Sequence, residues 1–121
     1  MNKLFFIISI MICSQVFAGE FLTEAQKQSS LSAIDIICGD TWCEGDYNFE
    51  FQTINCESDN STCVVSFKTW DYADETINTQ YSCKIEGIKS FQDIVIEERG
   101  DLTEKFYDQM NVCINEDEIW G

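Results

Sequence analysis

Cysteine is the residue type that most constrains how this chain of 121 residues can fold. Of the seven cysteines, Cys13 lies in an apolar N-terminal run, and the other six are spread over the polar remainder. An even number of cysteines in a small exported domain is typical of a disulfide framework. The sequence has no histidine and no Cys-x-x-Cys spacing, the pattern of zinc and thiol-redox motifs. We therefore expect structural disulfides and assign no metal site with confidence.

Local context narrows the possible disulfide pairings. One pair of cysteines flanks a polar, turn-rich segment between two strand-like runs, and cysteines that face each other across a hairpin lie at bridging distance. A second pair flanks a tight loop behind a predicted helix, which leaves one strand position and one helix position to be joined. The predicted disulfides are Cys38–Cys43, Cys56–Cys63 and Cys83–Cys113.

Residues 1–18 have the pattern of a secretory signal peptide. Lys3 supplies the positive charge, residues 4–12 are apolar apart from Ser9, and Ala18 ends a Val-Phe-Ala cleavage pattern. A helix over that apolar run rises only about 14 Å, roughly half of a bilayer core, so a membrane anchor is the less favoured interpretation. We expect residues 19–121 to form one small domain, secreted or periplasmic, with no membrane association after cleavage.

The chain is strongly acidic, with 22 acidic residues against seven lysines and arginines and a formal net charge of −15. All of the acidic residues follow the predicted signal peptide, so its loss removes only Lys3 and leaves six bases and a charge of −16. Such a chain repels nucleic acid and anionic membrane surfaces and attracts basic proteins or cations. We expect no nucleic-acid partner and consider a basic protein as the partner. The alternative is that the acidity serves solubility alone.

Patterns of apolar residues predict an α+β fold. A Thr-Glu-Ala-Gln capping box opens an apolar pattern at helical spacing, which predicts a helix over residues 24–38 that ends at Gly39. Apolar and polar residues alternate over 46–56, 62–72 and 79–86, which predicts three strands. The expected architecture is an N-terminal helix, a three-stranded or slightly larger antiparallel sheet, and one or two C-terminal helices, all stapled by disulfides.

The alternation in the first two strands conflicts with the disulfide predicted between them. If its cysteines face each other in a regular antiparallel pair, Phe49 and Phe51 point away from the face that carries Phe67. A β-bulge near residues 52–53 resets the alternation and removes the conflict. We favour this bulge over the alternative, a sheet with both faces partly covered.

The last third of the sequence is less regular. Residues 90–93 have a capping-box pattern that favours a helix, and a strand over residues 93–97 is nearly as well supported. An apolar stripe at helical spacing then runs to about residue 115 and directs Cys113 toward the sheet. Ile119 and Trp120, in the acidic tail, are expected to pack back onto the body.

The most unusual segment is the one from residue 39 to residue 46, which collects three carboxylates and two glycines around Trp42. Asp40, Glu44 and Asp46 offer the oxygen ligands that Ca²⁺ prefers, although their spacing is not that of an EF-hand. Trp42 is either an exposed anchor for a partner or a core side chain beside solvated acids. The sequence thus names these four residues as candidates for binding a partner or calcium.

No segment carries a catalytic signature. Without histidine a Ser-His or Cys-His pair is impossible, and a pair of carboxylates is the general acid-base chemistry that remains. Close carboxylate pairs arise by chance in so acidic a chain. The sequence favours an exported acidic binding domain with no catalytic activity and no cofactor, acting on a basic protein. The alternatives are a small carboxylate-dependent hydrolase and a calcium-dependent module that uses the Asp40–Asp46 loop.

Overall fold

The computed structural model describes residues 20–43, 47–74, 76 and 78–116. Within these ranges the predicted α+β architecture is confirmed, with an N-terminal helix, a three-stranded antiparallel sheet and a C-terminal helix. In chain order the elements are α1 (Glu24–Asp40), β1 (Tyr47–Glu57), β2 (Thr62–Asp71), β3 (Asn78–Glu86), β4 (Val95–Ile96), β5 (Asp101–Leu102) and α2 (Glu104–Asn111). A 3-10 turn precedes β4, and a π-helical turn, Val112–Glu116, follows α2. The predicted signal peptide and the predicted packing of Ile119 and Trp120 lie outside the described residues.

Helix α1 begins at the predicted capping box. The Gln26 N–H donates to Thr23 Oγ1 at 3.1 Å, and the Thr23 N–H donates to Gln26 Oε1 at 3.0 Å. The predicted stop at Gly39 is wrong, because Gly39 keeps a negative φ and the helix continues to Asp40. Thr41 ends the helix instead, with its N–H donating to Cys38 O at 3.2 Å and its hydroxyl to Ile37 O at 2.7 Å. The last carbonyls are thus satisfied without a left-handed residue.

The sheet has the order β1-β2-β3, and its first pair contains the predicted bulge. Cys56 lies opposite Cys63, and the register shifts between Phe51 and Thr53, so that Phe51 lies opposite Phe67. The shift brings the two phenylalanine rings to 5.2 Å between centroids on one face of the sheet. A hairpin disulfide and an aromatic cluster can therefore share that face only because one residue is left unpaired.

The core lies between this face of the sheet and the two helices. Helix α1 contributes Ile34 and helix α2 contributes Phe106, and both are fully buried against buried strand residues such as Phe67 and Ile85. The three predicted disulfides are confirmed: Cys38–Cys43, Cys56–Cys63 and Cys83–Cys113, with Cα–Cα separations of 4.9, 4.0 and 5.9 Å. The last of these joins β3 to the turn after α2, which fixes the C-terminal helix on the sheet.

Residues 90–103 form a turn and a small hairpin. The predicted helix is wrong: Phe91–Asp93 is a single 3-10 turn, and the Ser90 side chain makes no capping hydrogen bond. The alternative strand is found in shorter form as β4, which pairs with β5 across a turn that contains Gly100 at φ +64°. The physical reason is that the carbonyls of Asp93 and Ile94 bond to Thr103 and not to a next helical turn: the Thr103 hydroxyl donates to Asp93 O at 2.6 Å and the Thr103 N–H to Ile94 O at 2.8 Å. We call this segment the β4–β5 hairpin.

The disulfides and the helices bear on where such a chain resides. Three disulfides in a small domain suggest an oxidising, extracellular environment. Among the described residues, no helix is long and apolar enough to cross a lipid bilayer.

Candidate functional site

The structure resolves the two interpretations of Trp42 in favour of the core. Its side chain is 3% exposed, and its ring lies 5.1 Å from that of Tyr107 in α2. The interpretation of Trp42 as an exposed anchor is therefore wrong. The Cys43 N–H donates to Cys38 O at 3.0 Å, and this bond and the Cys38–Cys43 disulfide fold the loop back against the protein. The buried Trp42 Nε1–H finds no hydrogen-bond acceptor among the described residues.

The remaining candidates of that loop are only partly described. Asp40 is exposed in the last turn of α1, whereas Glu44 and Asp46 lie outside the described residues. In the part of the chain that is described, no three Cys, Asp or Glu side chains are grouped so as to hold a metal ion. Calcium binding by the loop stays a prediction.

Among the described residues, most exposed carboxylates make no ion pair with a base. The described ion pairs use Lys27, Lys68, Lys84 and Lys105, which contact Glu20, Glu24, Glu50, Glu86 and Asp93. The described carboxylates outside these pairs are those of Asp35, Asp40, Glu57, Asp59, Asp71, Asp74, Glu97, Glu98, Asp101, Glu104 and Asp108. The surface therefore presents negative charge that the chain's own bases leave uncompensated, which is the electrostatic condition for attracting a cationic partner.

Hydrogen bonds clearly shift the pKa values of two titratable groups. The Thr76 hydroxyl and backbone N–H donate to Asp74 Oδ1 at 2.6 and 3.0 Å, and these bonds lower the pKa of the carboxyl group. A general acid needs the opposite shift. The pKa of Lys27 is raised, chiefly because its ammonium group donates to Glu20 at 2.8 Å. In both cases the hydrogen bonds stabilise the charged form of the side chain.

A depression runs between α1 and the β4–β5 hairpin. It has a volume of about 650 Å³, and we call it the α1–hairpin groove. Ala33 on α1 and Phe91 and Val95 on the opposite side are buried and form its apolar floor. Ile36 and Glu97, both exposed, line its opposite walls. The volume falls in the range of about 300–1,000 Å³ that is usual for ligand-binding pockets.

Small side chains on α1 keep this groove open. Ser29, Ser32, Ala33 and Ile36 all line it, and their spacing of three or four residues places them on one face of the helix. Three of the five α1 residues that line the groove are Ser or Ala, and a fourth, Gln28, is polar, so α1 does not cover this part of the hairpin with large apolar side chains. Ile36 is the one large apolar side chain that the helix presents there, with 62% of its surface exposed.

A second, smaller depression of about 400 Å³ lies between the outer edge of β3 and α2. At one end of it the Gln109 side chain closes the sheet edge, since it accepts from the Glu86 N–H and donates to the Glu86 carbonyl, both at 2.8 Å. The walls carry charges of both signs, Lys84 and Asp108. This mixed lining selects no particular partner.

The residues of the α1–hairpin groove were missed by sequence reasoning. Ile36 belongs to the run Ile34-Asp-Ile-Ile-Cys38, and its helical position lies on the side opposite Ile34, outside the buried stripe. That signal was available in the sequence. The opposite wall of the groove could not be predicted, because residues 90–103 show no strong pattern of strand pairing. The short strand β4 was only an alternative there.

Comparison with other proteins gives no functional guidance. No family model matches the chain, and neither a curated protein nor a solved structure shows a significant match. The function is therefore inferred from the charges, the grooves and the frame of the described residues.

Proposed function

We propose that this protein is an exported interaction domain that binds a basic protein and has no catalytic role. The observation that carries the proposal is the set of exposed carboxylates, from Asp35 in α1 to Asp108 in α2, that make no ion pair with any described residue. Exposed charges of one sign raise the local concentration of an oppositely charged partner and speed its association. A basic partner gains from this field, whereas nucleic acid is repelled by it.

The frame of the domain supports a binding role. Three disulfides and a shared core hold both helices on the sheet, so the surface residues are presented with little freedom. A rigid surface loses less conformational entropy on binding than a flexible one. The lowered pKa of Asp74 keeps that carboxylate charged, as an attractive surface requires.

The test compares peptides of opposite charge at two salt concentrations. The protein, produced from the full chain with its disulfides formed, is titrated calorimetrically with a short lysine-rich peptide and with a glutamate-rich peptide of equal length. We expect binding of the lysine-rich peptide alone, weakened strongly between about 0.05 M and 0.5 M salt because exposed charges are screened. Equal or absent binding of the two peptides would contradict the proposal.

The natural partner requires a second measurement. Native mass spectrometry of the protein recovered from the outside of its own cell is expected to reveal a bound protein of high isoelectric point. The complex should persist at about 0.5 M salt if shape complementarity adds to the charge attraction. An acidic or nucleic-acid partner in the native spectrum would refute the proposal directly.

A further inference from the structure

Three observations meet at the α1–hairpin groove. Its floor is apolar, with Phe91 and Val95 buried at the bottom. Its wall carries Ile36, which leaves 62% of an isoleucine side chain in solvent. Single exposed apolar residues are ordinary, but an exposed isoleucine that borders an apolar depression extends the apolar surface available to a ligand.

The surroundings of the groove are acidic. Glu97 lines it, and Glu98 and Asp101 follow in the same hairpin, where Arg99 is the only base. Asp40 lies four residues after Ile36, hence on the same face of α1. None of these four acids makes an ion pair with a described residue.

Helix α1 adds to this negative field. The C-terminal end of a helix carries a partial negative charge from its aligned peptide dipoles, and basic residues are favoured there. The last turn of α1 contains no basic residue and ends at Asp40. An occupant of the groove that extends along α1 therefore meets negative charge from Glu97 on one wall and from the Asp40 end of the helix.

We propose that the α1–hairpin groove receives one large aliphatic or aromatic side chain from a basic segment of the partner, while lysine or arginine residues flanking it contact Glu97 and Asp40. The charge of the groove's surroundings selects this occupant over a second copy of the chain, whose own net charge of −15 would be repelled. The inference rests on the proposed function for the charge of the partner. It adds the site and the apolar anchor.

The test uses two lysine-rich peptides that differ only in a central Leu or Ala. Burial of the larger side chain in the groove is expected to tighten binding of the Leu peptide about tenfold. Ser32→Tyr fills the groove from an exposed helical position, and Ile36→Ser removes its apolar wall. Each variant is expected to bring the Leu peptide down to the affinity of the Ala peptide. Unchanged thermal unfolding would show that both variants remain folded.

A matched pair of charge variants separates local from general attraction. Glu97→Gln and Asp108→Asn each remove one unpaired exposed carboxylate, but Asp108 lies on α2, away from the groove. We expect Glu97→Gln to weaken binding of both lysine-rich peptides about threefold more than Asp108→Asn does. Equal effects of the two substitutions would overturn the placement of the basic segment.

The outcomes distinguish this inference from the proposed function. If both lysine-rich peptides bind better than a glutamate-rich one but equally to each other, the groove inference fails and the proposed function stands. If a neutral Leu peptide binds as well as the lysine-rich one, the groove takes a small apolar ligand and the inference is wrong. Dimerisation that Ile36→Ser abolishes would identify a second copy as the occupant and would also overturn it.

Discussion

Helix α1 presents apolar side chains to two different surroundings. On its inner side Ile34 is 0% exposed and packs in the core against the sheet, whereas on its outer side Ile36 is 62% exposed and borders the α1–hairpin groove. The core contains disulfide cysteines and aromatic rings, whereas the groove is open to solvent and has acidic residues around it. Two isoleucines of one helix thus serve stability on one side and, by our proposal, recognition on the other. Substitutions that act on one side alone test this division.

The largest expected effect concerns the register of the sheet. Deletion of Asn55 makes Cys56 the direct neighbour of Ile54, so the two side chains can no longer share the core face. The loss in the free energy of unfolding is expected to exceed about 4 kcal/mol.

Deletion of Gln52 is the matched control, because it removes the residue that the bulge leaves unpaired and keeps Phe51 and Ile54 on the core face. It loses the hydrogen bond that Gln52 accepts from Gln80 at 2.6 Å, which contributes about 1 kcal/mol. Urea unfolding and a disulfide count by mass spectrometry compare the two. Equal damage from both deletions would show that the bulge has no role in placing the core.

The disulfide between β3 and the turn after α2 is expected to contribute the next largest effect. On the chain-entropy model its sequence separation of 30 corresponds to about 3.5 kcal/mol, against about 2 kcal/mol for Cys38–Cys43 with a separation of 5. Paired Cys→Ala substitutions at each bridge, followed by urea unfolding, give both values. A smaller loss at Cys83–Cys113 than at Cys38–Cys43 would mean that packing, not the covalent bond, holds α2 on the sheet.

The two isoleucines of α1 give the most direct comparison of core and groove. Ile34→Ala empties a fully buried site and is expected to cost about 2–5 kcal/mol. Ile36→Ala is expected to change the free energy of unfolding by less than about 0.5 kcal/mol, because the side chain is already mostly solvated. Chemical denaturation of both variants decides the matter. A large loss for Ile36→Ala would show that the groove wall belongs to the core.

The sheet could be predicted in detail because its constraints agree with one another. Alternation placed the strands, the spacing of Cys56 and Cys63 indicated their register, and the conflict of Phe49 and Phe51 with that register favoured the bulge that the structure contains over a sheet covered on both faces. Each of these signals depends on a few neighbouring residues or on a covalent bond between them. For that reason a single sequence sufficed.

The region around the groove could not be predicted in this way. Whether Gly39 ends a helix depends on which group satisfies the last carbonyls, and the Thr41 side chain does so here. Whether residues 90–97 form a helix or a strand depends on Thr103, which lies ten residues beyond Asp93. The Thr103 hydroxyl donates to the Asp93 carbonyl. The groove itself exists only when α1 and the β4–β5 hairpin are brought together. Its residues are therefore visible as a site only in three dimensions.

A smaller and pH-dependent effect is expected where α1 joins the sheet edge. The ammonium group of Lys27, whose side chain is 16% exposed, pairs with Glu20 at 2.8 Å, and Lys27→Met is expected to cost about 0.5–1 kcal/mol at neutral pH. The pKa of Lys27 is raised above its ordinary value of 10.5, so this stabilisation is fully present below pH 10.5 and is lost as the pH rises through the raised value.

Urea unfolding of the wild type and of Lys27→Met between neutral pH and about pH 11 measures this difference. Lys89→Met is the control, since the Lys89 ammonium makes no ion pair with a described residue. A difference between wild type and Lys27→Met that stays constant across that pH range would mean that Lys27 acts through its aliphatic stem.

The smallest effect is the one in which stability and recognition are expected to move in opposite directions. Asp40 is exposed in the last turn of α1, where the partial negative charge of the carbonyls disfavours a carboxylate and no base compensates it. Asp40→Asn is therefore expected to raise the free energy of unfolding by about 0.3–1 kcal/mol and, at low salt, to weaken binding of the lysine-rich Leu peptide about twofold. Urea unfolding and calorimetry on the same sample measure both quantities, with Asp108→Asn, which also removes a carboxylate from the last turn of a helix but lies away from the groove, as the control for binding. A residue that lowers stability but aids binding is explained by its role at the groove. If Asp40→Asn loses stability or binds as the wild type does, Asp40 belongs to the frame of the domain and the division between the two sides of α1 does not extend to the end of the helix.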